Sequence, residues 1–337
     1  MRRRRFLQTA LIGGGLASFQ ILRGSARGLP GDLPADAAEE ALVRARAQSA
    51  ARGPIIDVHM HAYPADGAID ASLTNPVSGK PPGLKDGEAH MQACLAEMKR
   101  LNIVKGVVSG GTGDRLGAAM HWHDAAPDRI IAGAGVRGSD DTPLPGLGVL
   151  RKAFADRRLR VLGEVTAEYA GMSLSDPRYE AYLALAEEFD IPVALHTGTA
   201  PPGTSYDPCC RNFRVSLGNP LLIEEALNRH PALRVNLMHA AWPYLEETLA
   251  LLNLYPQVSV DIGALGWGQP RAEFYYYLGA LMRAGYGKRV MFGSDHMYWP
   301  DLIGITVDAV DSAPFLTPAD KRDIFHDNAV RFYKLES

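Results

Sequence analysis

The chain has 337 residues, 47% of them hydrophobic and 22% charged, and its formal net charge is −3. This composition excludes an intrinsically disordered chain, because the apolar residues suffice for a large buried core. The weak net charge also excludes a strongly basic nucleic-acid-binding protein. The length allows one large domain with extensions.

The N-terminal segment has the pattern of an export signal. Residues 1–6 contain four arginines, and residues 7–22 form an apolar stretch without charge. This stretch is short for a membrane span, which needs about 20 apolar residues, so we expect no stable span in the mature protein. Arg3-Arg4-Arg5-Phe6-Leu7-Gln8 resembles a twin-arginine motif, with an ordinary Arg-rich signal as the alternative. We predict a twin-arginine-type signal peptide over residues 1–27, passage through the twin-arginine export machinery and a periplasmic or exported protein.

The segment after the signal differs from the rest of the chain. Residues 28–53 are rich in Ala, Arg, Glu, Gly and Pro and are interpreted as a linker or N-terminal extension, with a short helix over 36–48. Loss of residues 1–27 would remove six arginines and no acidic residue, which shifts the formal net charge to −9. An acidic mature chain argues against nucleic acid as a partner. A small-molecule substrate is the expected partner, and assembly with further copies of the chain is left open.

Eight apolar runs follow from residue 54. They are rich in Val, Ile and Leu without polar alternation, which is typical of strands buried on both faces of a parallel sheet. Helical patterns separate them, and this alternation predicts an α/β fold, a (β/α)₈ TIM barrel over residues 54–334. A doubly wound open sheet is the alternative, but it would not bring the first strand beside the last. The predicted strands are 54–60, 104–109, 129–136, 159–165, 192–197, 234–239, 258–263 and 290–295.

The connections contain helix-start signals and two long insertions. Asp176-Pro177, Asn219-Pro220 and Thr317-Pro318 each place a capping side chain before a proline, a pattern that begins helices. Residues 62–87, after the first strand, and residues 198–219, after the fifth, are long loops. Both follow the carboxyl ends of strands, where function lies in such a barrel, so we expect both to border the active site.

Five of the predicted strands end in residues that commonly bind metals. In an extended strand, residues two apart point to the same side, so His59 and His61 can share one ion. The imidazole and carboxylate donors favour zinc, with manganese or iron as alternatives, and the set could hold one or two divalent ions. The candidate metal ligands are His59, His61, Glu164, His196, His239 and Asp295.

These residues have distinct predicted roles. Asp295 is the candidate general base, because a carboxylate beside both metal and water can accept the proton of that water. Glu164 has two interpretations, a bridge between two ions or a structural ion pair with a barrel arginine. For His196 and His239 the alternative is a buried histidine bound to backbone.

Other polar residues have weaker signals. Arginine binds carboxylates through two hydrogen bonds, so we predict substrate contacts for Arg137, Arg211 and Arg214, and for His296 beside Asp295, with solvated or packed side chains as the alternative. His90, in a helical pattern, is predicted to be structural. The cysteines allow either a Cys209–Cys210 bridge or pairing of one of these with Cys94.

Several motifs together resemble the amidohydrolase superfamily, in particular its amidohydrolase-related (amidohydrolase 2) branch. They occur in order within residues 54–334 and comprise Ile56-Asp57-Val58-His59-Met60-His61, Leu195-His196-Thr197-Gly198, Met238-His239-Ala240, Phe292-Gly293-Ser294-Asp295 and Asn328-Ala329-Val330-Arg331-Phe332. The resemblance implies a metal-dependent barrel in which His59, His61, His196 and Asp295 bind the metal. It also implies that His239 binds a second metal or polarises the substrate. Gly163-Glu164 resembles the bridging glutamate of two-metal members and departs from the single-metal pattern of the branch's decarboxylases.

Three functions remain open at this point. The leading prediction is a metal-dependent hydrolase that activates water to cleave an ester, lactone or amide bond of a small, carboxylate-bearing substrate, with Asp295 and His239 as catalytic residues. A metal-dependent non-oxidative decarboxylase of an aromatic or unsaturated acid is the alternative, since the branch that the sequence resembles contains both. A non-catalytic exported metal- or ligand-binding protein is the third, and the complete set of candidate ligands argues against it.

Overall fold

A computed structural model describes residues 53–111 and 113–336. Eight parallel strands lie in sequential order, each paired with the next. The strands are β1 Ile55–Ala62, β2 Ile103–Gly110, β3 Ile130–Val136, β4 Val161–Val165, β5 Val193–Leu195, β6 Val235–Leu237, β7 Val258–Asp261 and β8 Val290–Met291. This is the predicted TIM barrel, and each strand lies within or beside its predicted range.

Helices alternate with the strands. They are α1 Gly87–Leu101, α2 Arg115–Ala125, α3 Leu147–Ala155, α4 Glu180–Glu188, α5 Glu224–Arg229, α6 Leu245–Leu254, α7 Leu265–Gly268, α8 Arg271–Arg283, α9 Asp301–Asp311, α10 Pro318–Arg322 and α11 Asn328–Tyr333. Short 3₁₀ turns Pro177–Tyr179 and Pro220–Ile223 precede α4 and α5, and a π-helical turn Asp323–Asp327 joins the last two helices.

The predicted caps are present. The Asp176 and Asn219 side chains accept hydrogen bonds from the backbone at the start of the two 3₁₀ turns. Thr317 and Asp320 form a reciprocal capping box at α10. Each cap satisfies backbone N–H groups that a helix start leaves without an intrahelical partner.

Backbone hydrogen bonds bring the first and last strands together. The Val58 amide donates to the Phe292 carbonyl at 2.9 Å, and the Asp295 amide donates to the His59 carbonyl at 2.8 Å. These bonds nearly close the ring and place the end of β1 beside the segment after β8. The open-sheet alternative is therefore wrong.

The barrel interior has an apolar lower layer. All members of this layer are buried, and α11 adds Phe332 and Tyr333 from below. The members from the strands, or directly after a strand in the case of Met238, are Ile56, Val58, Val107, Ile131, Val161, Ala194, Met238 and Met291. The helices pack over the outside of the strands in a second, larger apolar layer. The amino-terminal end of the barrel is thus filled, and polar chemistry is confined to the carboxyl ends of the strands.

The predicted export signal and the 36–48 helix lie outside the described residues. Among the helices of the described part, none combines the length and the apolar character that crossing a membrane requires.

Candidate metal centre

A local irregularity in β1 turns two histidines toward the barrel axis. Val58 belongs to the interior layer, and the pairing register with β2 shifts between Asp57 and Met60. The shift breaks the two-residue alternation, so that His59 and His61 face inward while Met60 packs outside. Asp57 holds this bulge by accepting hydrogen bonds from the backbone amides of His59 (3.1 Å) and Ser294 (2.9 Å). Bulges re-aim side chains near active sites in this way.

The side chains predicted as metal ligands converge at the carboxyl ends of the strands. His61 Nε2 lies 2.8 Å from Asp295 Oδ1 and 3.7 Å from Glu164 Oε2. His59 Nε2 lies 3.7 Å from Asp295 Oδ1, and His239 Nδ1 lies 3.9 Å from Asp295 Oδ2. The His196 and His239 rings contact each other edge to face, 4.5 Å between centroids. We use the term metal centre for the six buried side chains predicted as ligands, which are His59, His61, Glu164, His196, His239 and Asp295.

Two carboxylates that the sequence analysis missed orient these imidazoles. Asp261, the last residue of β7, lies 3.3 Å from His59 Nδ1 and accepts hydrogen bonds from the His239 and Gly263 amides at 3.1 and 2.8 Å. Glu168, in the 3₁₀ turn after β4, contacts His196 Nδ1. Carboxylates at Nδ1 leave the opposite nitrogen, Nε2, to bind a metal. The position of Asp261 at a strand end was a usable signal, whereas nothing in the sequence marks Glu168.

The Nε2 atoms of two of these histidines are suited to bind a divalent metal. His239 Nδ1 lies 3.0 Å from the Gly263 carbonyl, which makes it the donor and leaves Nε2 as a free acceptor. His59 Nε2 and His239 Nε2 are both buried and have no hydrogen-bond partner among the described residues. Buried polar nitrogens without a partner are costly unless something binds them. Imidazole nitrogens with carboxylate oxygens are the donors that zinc, manganese and iron take.

The backbone at the centre is held in a restricted conformation. Asp295 has φ of 49°, and His239, Ala240 and Ala241 have φ of 59°, 46° and 54°. Residues other than glycine rarely adopt this left-handed backbone conformation, and such strain persists only where surrounding contacts enforce it. Here the hydrogen bonds to Asp261 and to the His59 carbonyl supply those contacts.

Mutual attraction sets the charges of the centre. Burial acts to raise the pKa of Asp295, but the neighbouring His59 and His61 outweigh burial and lower the pKa below its ordinary value. Burial acts to lower the pKa of His59, yet Asp261 and Asp295 raise it to about 10. Burial lowers the pKa of His239 to about 4, helped by repulsion from His196. The carboxylates are thus ionised, His239 is neutral and His59 is protonated. Because a ligand imidazole must be neutral, a divalent ion that binds His59 would displace its proton.

Glu164 makes no ion pair with an arginine in the described part of the chain, and its nearest ionisable neighbour is His61, whose Nε2 lies 3.7 Å from Glu164 Oε2. Burial acts to raise the pKa of Glu164, and attraction to His61 and His196 lowers it overall. This geometry supports the ligand interpretation of Glu164 over the structural ion pair.

The four residues predicted to contact substrate occupy different surroundings. Arg137 is half-buried after β3, donates to Thr166 Oγ1 at 3.3 Å and stands 5.0 Å over the Tyr169 ring, which in turn packs against His196. Arg211 and Arg214 are exposed in the loop after β5, and the Arg214 guanidinium donates to backbone carbonyls of that loop. His296 is fully buried against His90 and Cys94. Substrate contact stays a prediction for all four.

The two long insertions flank the centre. Tyr63, at the start of the first, stacks on Tyr298 at 4.3 Å, and Phe213, in the second, packs on Tyr169 at 5.0 Å. A disulfide joins Cys209 to Cys210 and leaves Cys94 free and buried. The alternatives left open for the cysteines are thereby resolved in favour of the adjacent pair.

Several known structures share the fold of this chain. The structure is similar to a probable 2-pyrone-4,6-dicarboxylic acid hydrolase from Acinetobacter baumannii with citric acid bound (18% identity, 83% of this chain and 99% of that chain covered, TM-score 0.60). It is also similar to 2,6-dihydroxybenzoate decarboxylase from Rhizobium (17%, 83% and 100%, TM-score 0.53). A third similar structure is a 5-carboxyvanillate decarboxylase variant from Novosphingobium aromaticivorans with bound manganese (15%, 84% and 97%, TM-score 0.54).

At these identities the structural likeness establishes the fold alone. A search of curated proteins found no matching relative. The sequence profile of one family, described as amidohydrolase, matches residues 56–335. The match covers most of the chain and contains the whole metal centre, so the chain belongs to the amidohydrolase family.

Proposed function

We propose that this protein is a metal-dependent hydrolase that cleaves an ester, lactone or amide bond of a small carboxylate-bearing molecule. The observation that carries the proposal is the metal centre, in which four imidazoles and two carboxylates are buried together while His59 Nε2 and His239 Nε2 have no partner among the described residues. A structural cluster would pair these atoms, whereas a metal site leaves them free.

The residues divide into two groups around a metal. His59, His61 and Asp295 offer neighbouring ligand atoms and would hold the first ion, with His196 as the further ligand that the family resemblance implies. Glu164 and His239, which lie together beside His59, would complete a site for a second ion. Zinc suits this donor set, and manganese, as bound by one structural neighbour, is the next choice. A divalent ion here would lower the pKa of water and polarise a carbonyl group.

The side chains then handle protons and position the substrate. Asp295, ionised and 2.8 Å from His61, accepts the proton of the attacking water. As the water oxygen bonds to the carbonyl carbon and the C–O or C–N bond breaks, Asp295 returns that proton to the leaving group. His239, fixed by the Gly263 carbonyl, faces the same space and either binds the second ion or polarises the carbonyl.

Decarboxylation is the second candidate, and the aromatic side chains near the centre favour it. Tyr169 lies edge to face on His196 at 5.1 Å, with Phe213 behind it, a surface that suits a ring substrate. Two of the structural neighbours are named as decarboxylases of aromatic acids. Glu164 supports hydrolysis instead, because a second carboxylate among the ligands serves a two-ion site.

Isotope labelling separates the two reactions. The metal-loaded protein would be tested against a panel of lactones, esters and aromatic acids, first in ¹⁸O-labelled water and then in heavy water. A hydrolase places ¹⁸O in a new carboxylate. Deuterium on carbon, with carbon dioxide released and no ¹⁸O in the organic product, would overturn hydrolysis in favour of decarboxylation.

We further propose export through the twin-arginine route, on the strength of Arg3 and Arg4 within the basic N-terminal segment. The double substitution Arg3→Lys with Arg4→Lys should leave the precursor in the cytoplasm. Unchanged export of that variant would point to the ordinary secretory route.

A further inference from the structure

Arg115 is a buried arginine at the carboxyl end of the barrel, and no sequence pattern marks it. It begins α2, five positions after the end of β2, and 8% of its surface is exposed. Two glycines lie against this residue. A Cβ at Gly110 would meet the Arg115 carbonyl oxygen at 2.1 Å, and a Cβ at Gly135 would meet its Cδ at 3.7 Å. The side chain therefore runs over the end of β3 beside the metal centre.

The Arg115 guanidinium has no close anionic partner. In the part of the chain that the structure describes, it makes no hydrogen bond and no ion pair, and Glu164 and Asp141 favour its charge only at longer range. Burial lowers the pKa of Arg115 to about 10, and repulsion from Arg137 adds to the effect. Burying an unpaired charge costs several kcal/mol, so natural proteins pair such groups or use them to bind a ligand.

Arg137 is the second cation of this region. Its guanidinium donates to Thr166 Oγ1 and lies over Tyr169, but it too has no carboxylate within 4 Å among the described residues. Nη1 of Arg137 lies 3.9 Å from Cys210 Sγ, so the disulfide of the second insertion borders the same space. Arg115 and Arg137 repel each other, and an anion bound between them would relieve that repulsion.

We infer that Arg115 and Arg137 form a subsite for a carboxylate group of the substrate, on the β2–β3 side of the metal centre. Planar guanidinium groups bind carboxylates through paired hydrogen bonds. The subsite fixes which end of the substrate faces the metal, with the carboxylate at the arginines and the scissile bond toward Asp295 and His239. The inference rests on the proposed function for that orientation, whereas anion binding itself is independent of the reaction.

The test measures binding of small anions to the metal-loaded protein. Succinate and tricarballylate serve as carboxylate probes, inorganic phosphate as a second oxyanion, and acetohydroxamic acid, which has no carboxylate group, as a ligand for the metal. Wild type would be compared with Arg115→Met, Arg115→Lys and Arg129→Met by calorimetry. Arg129 is the control, because it is a half-buried arginine that donates to the Ile103 carbonyl at the opposite end of β3.

We expect Arg115→Met to lower the affinity for the carboxylate probes by about 10- to 100-fold, the loss typical of a charge-assisted hydrogen-bonded pair. Arg115→Lys should retain part of the affinity, and Arg129→Met should bind as wild type does. Acetohydroxamate should bind all four proteins equally. Without any anion, Arg115→Met should unfold at the same or a higher temperature, because the unpaired charge is gone, whereas a structural arginine would lower it.

Each other outcome has a definite meaning. Equal succinate affinity in wild type and Arg115→Met, or no carboxylate binding to wild type, overturns the subsite. If Arg115→Met lowers the affinity for phosphate but not for the carboxylate probes, the subsite does not bind carboxylates. Failure of the protein to hold metal or acetohydroxamate, with Arg115-dependent succinate binding intact, refutes the proposed function and leaves the subsite standing.

Discussion

Two buried histidine clusters lie within the described residues, and their surroundings differ. In the metal centre, the His59 and His196 rings contact carboxylates through Nδ1. In the second group, called the sulfur cluster here, His90, Cys94 and His296 are all fully buried, and both imidazoles contact the Met297 carbonyl, at 2.8 and 3.0 Å. Carboxylates thus contact the imidazoles of the metal centre, whereas the imidazoles of the sulfur cluster contact a backbone carbonyl.

The orientation of the donor atoms also differs. Cys94 Sγ lies 3.9 and 3.8 Å from the two ring nitrogens of His296, so neither nitrogen points at it in preference to the other. Burial lowers the pKa of His90 to about 4 and raises that of the Cys94 thiol, which keeps both neutral. We therefore expect an ion at the first cluster, where carboxylates orient the rings, and not at the sulfur cluster, although its side chains also lie close together.

Removing the proton acceptor of the metal centre should have the largest effect. Asp295→Asn keeps the shape but loses the charge, so we expect kcat/KM to fall by about 10³-fold or more in either reaction. Turnover of any panel substrate at matched metal content measures this. Near-normal activity of the variant would show that Asp295 handles no proton.

Glu164→Gln tests whether the centre holds two ions. A neutral amide is a poor bridge, so metal content should fall by about one ion per chain, measured by elemental analysis of the purified protein. Glu187→Gln is the control, because Glu187 also binds a histidine, His230, but far from the centre in the fold. Unchanged metal content with lower stability would favour a structural role for Glu164.

Asp261→Asn tests the orienting carboxylate. It touches no substrate in the proposed reaction, yet it holds His59 and His239, so metal affinity should fall by about 10- to 100-fold. Competition with a chelator measures the affinity. If the affinity holds while the unfolding temperature drops, Asp261 serves the fold alone.

The smallest effect on metal binding is expected in the sulfur cluster. Cys94→Ala should leave metal content unchanged and lower the free energy of unfolding by about 1–2 kcal/mol, because it leaves a small buried void. Denaturant unfolding and elemental analysis of the same sample provide the two values. Loss of an ion in this variant would show that the sulfur cluster also binds metal, so the two histidine clusters would not differ in this respect.

Much of the barrel was predictable because its strands and helices differ in hydrophobic period. The residues of the metal centre were predictable because they end strands, and strand ends converge in this fold. Asp261 obeys the same rule and could have been found.

Glu168 and Arg115 could not be found in this way. Glu168 lies in a 3₁₀ turn and Arg115 at a helix start, where no simple period fixes the direction of a side chain. Their positions follow from three-dimensional contacts, such as the close approach of the Arg115 backbone to Gly110 and the contact of its Cδ with Gly135. The β1 bulge is a similar case, since the sequence predicts the inward direction of His59 and His61 but not the register shift that places Val58 on the same side.

Closure of the barrel has a consequence for when the centre can exist. The contact between His61 and Asp295 joins residues 234 positions apart, and α11 fills the barrel floor only after that. Such distant pairings form late, because most of the chain must be ordered before they yield any stabilisation. During synthesis, His59 and His61 leave the ribosome long before Asp295 does. We therefore expect the complete ligand set to bind an ion only after Asp295 has been synthesised and the ring has closed.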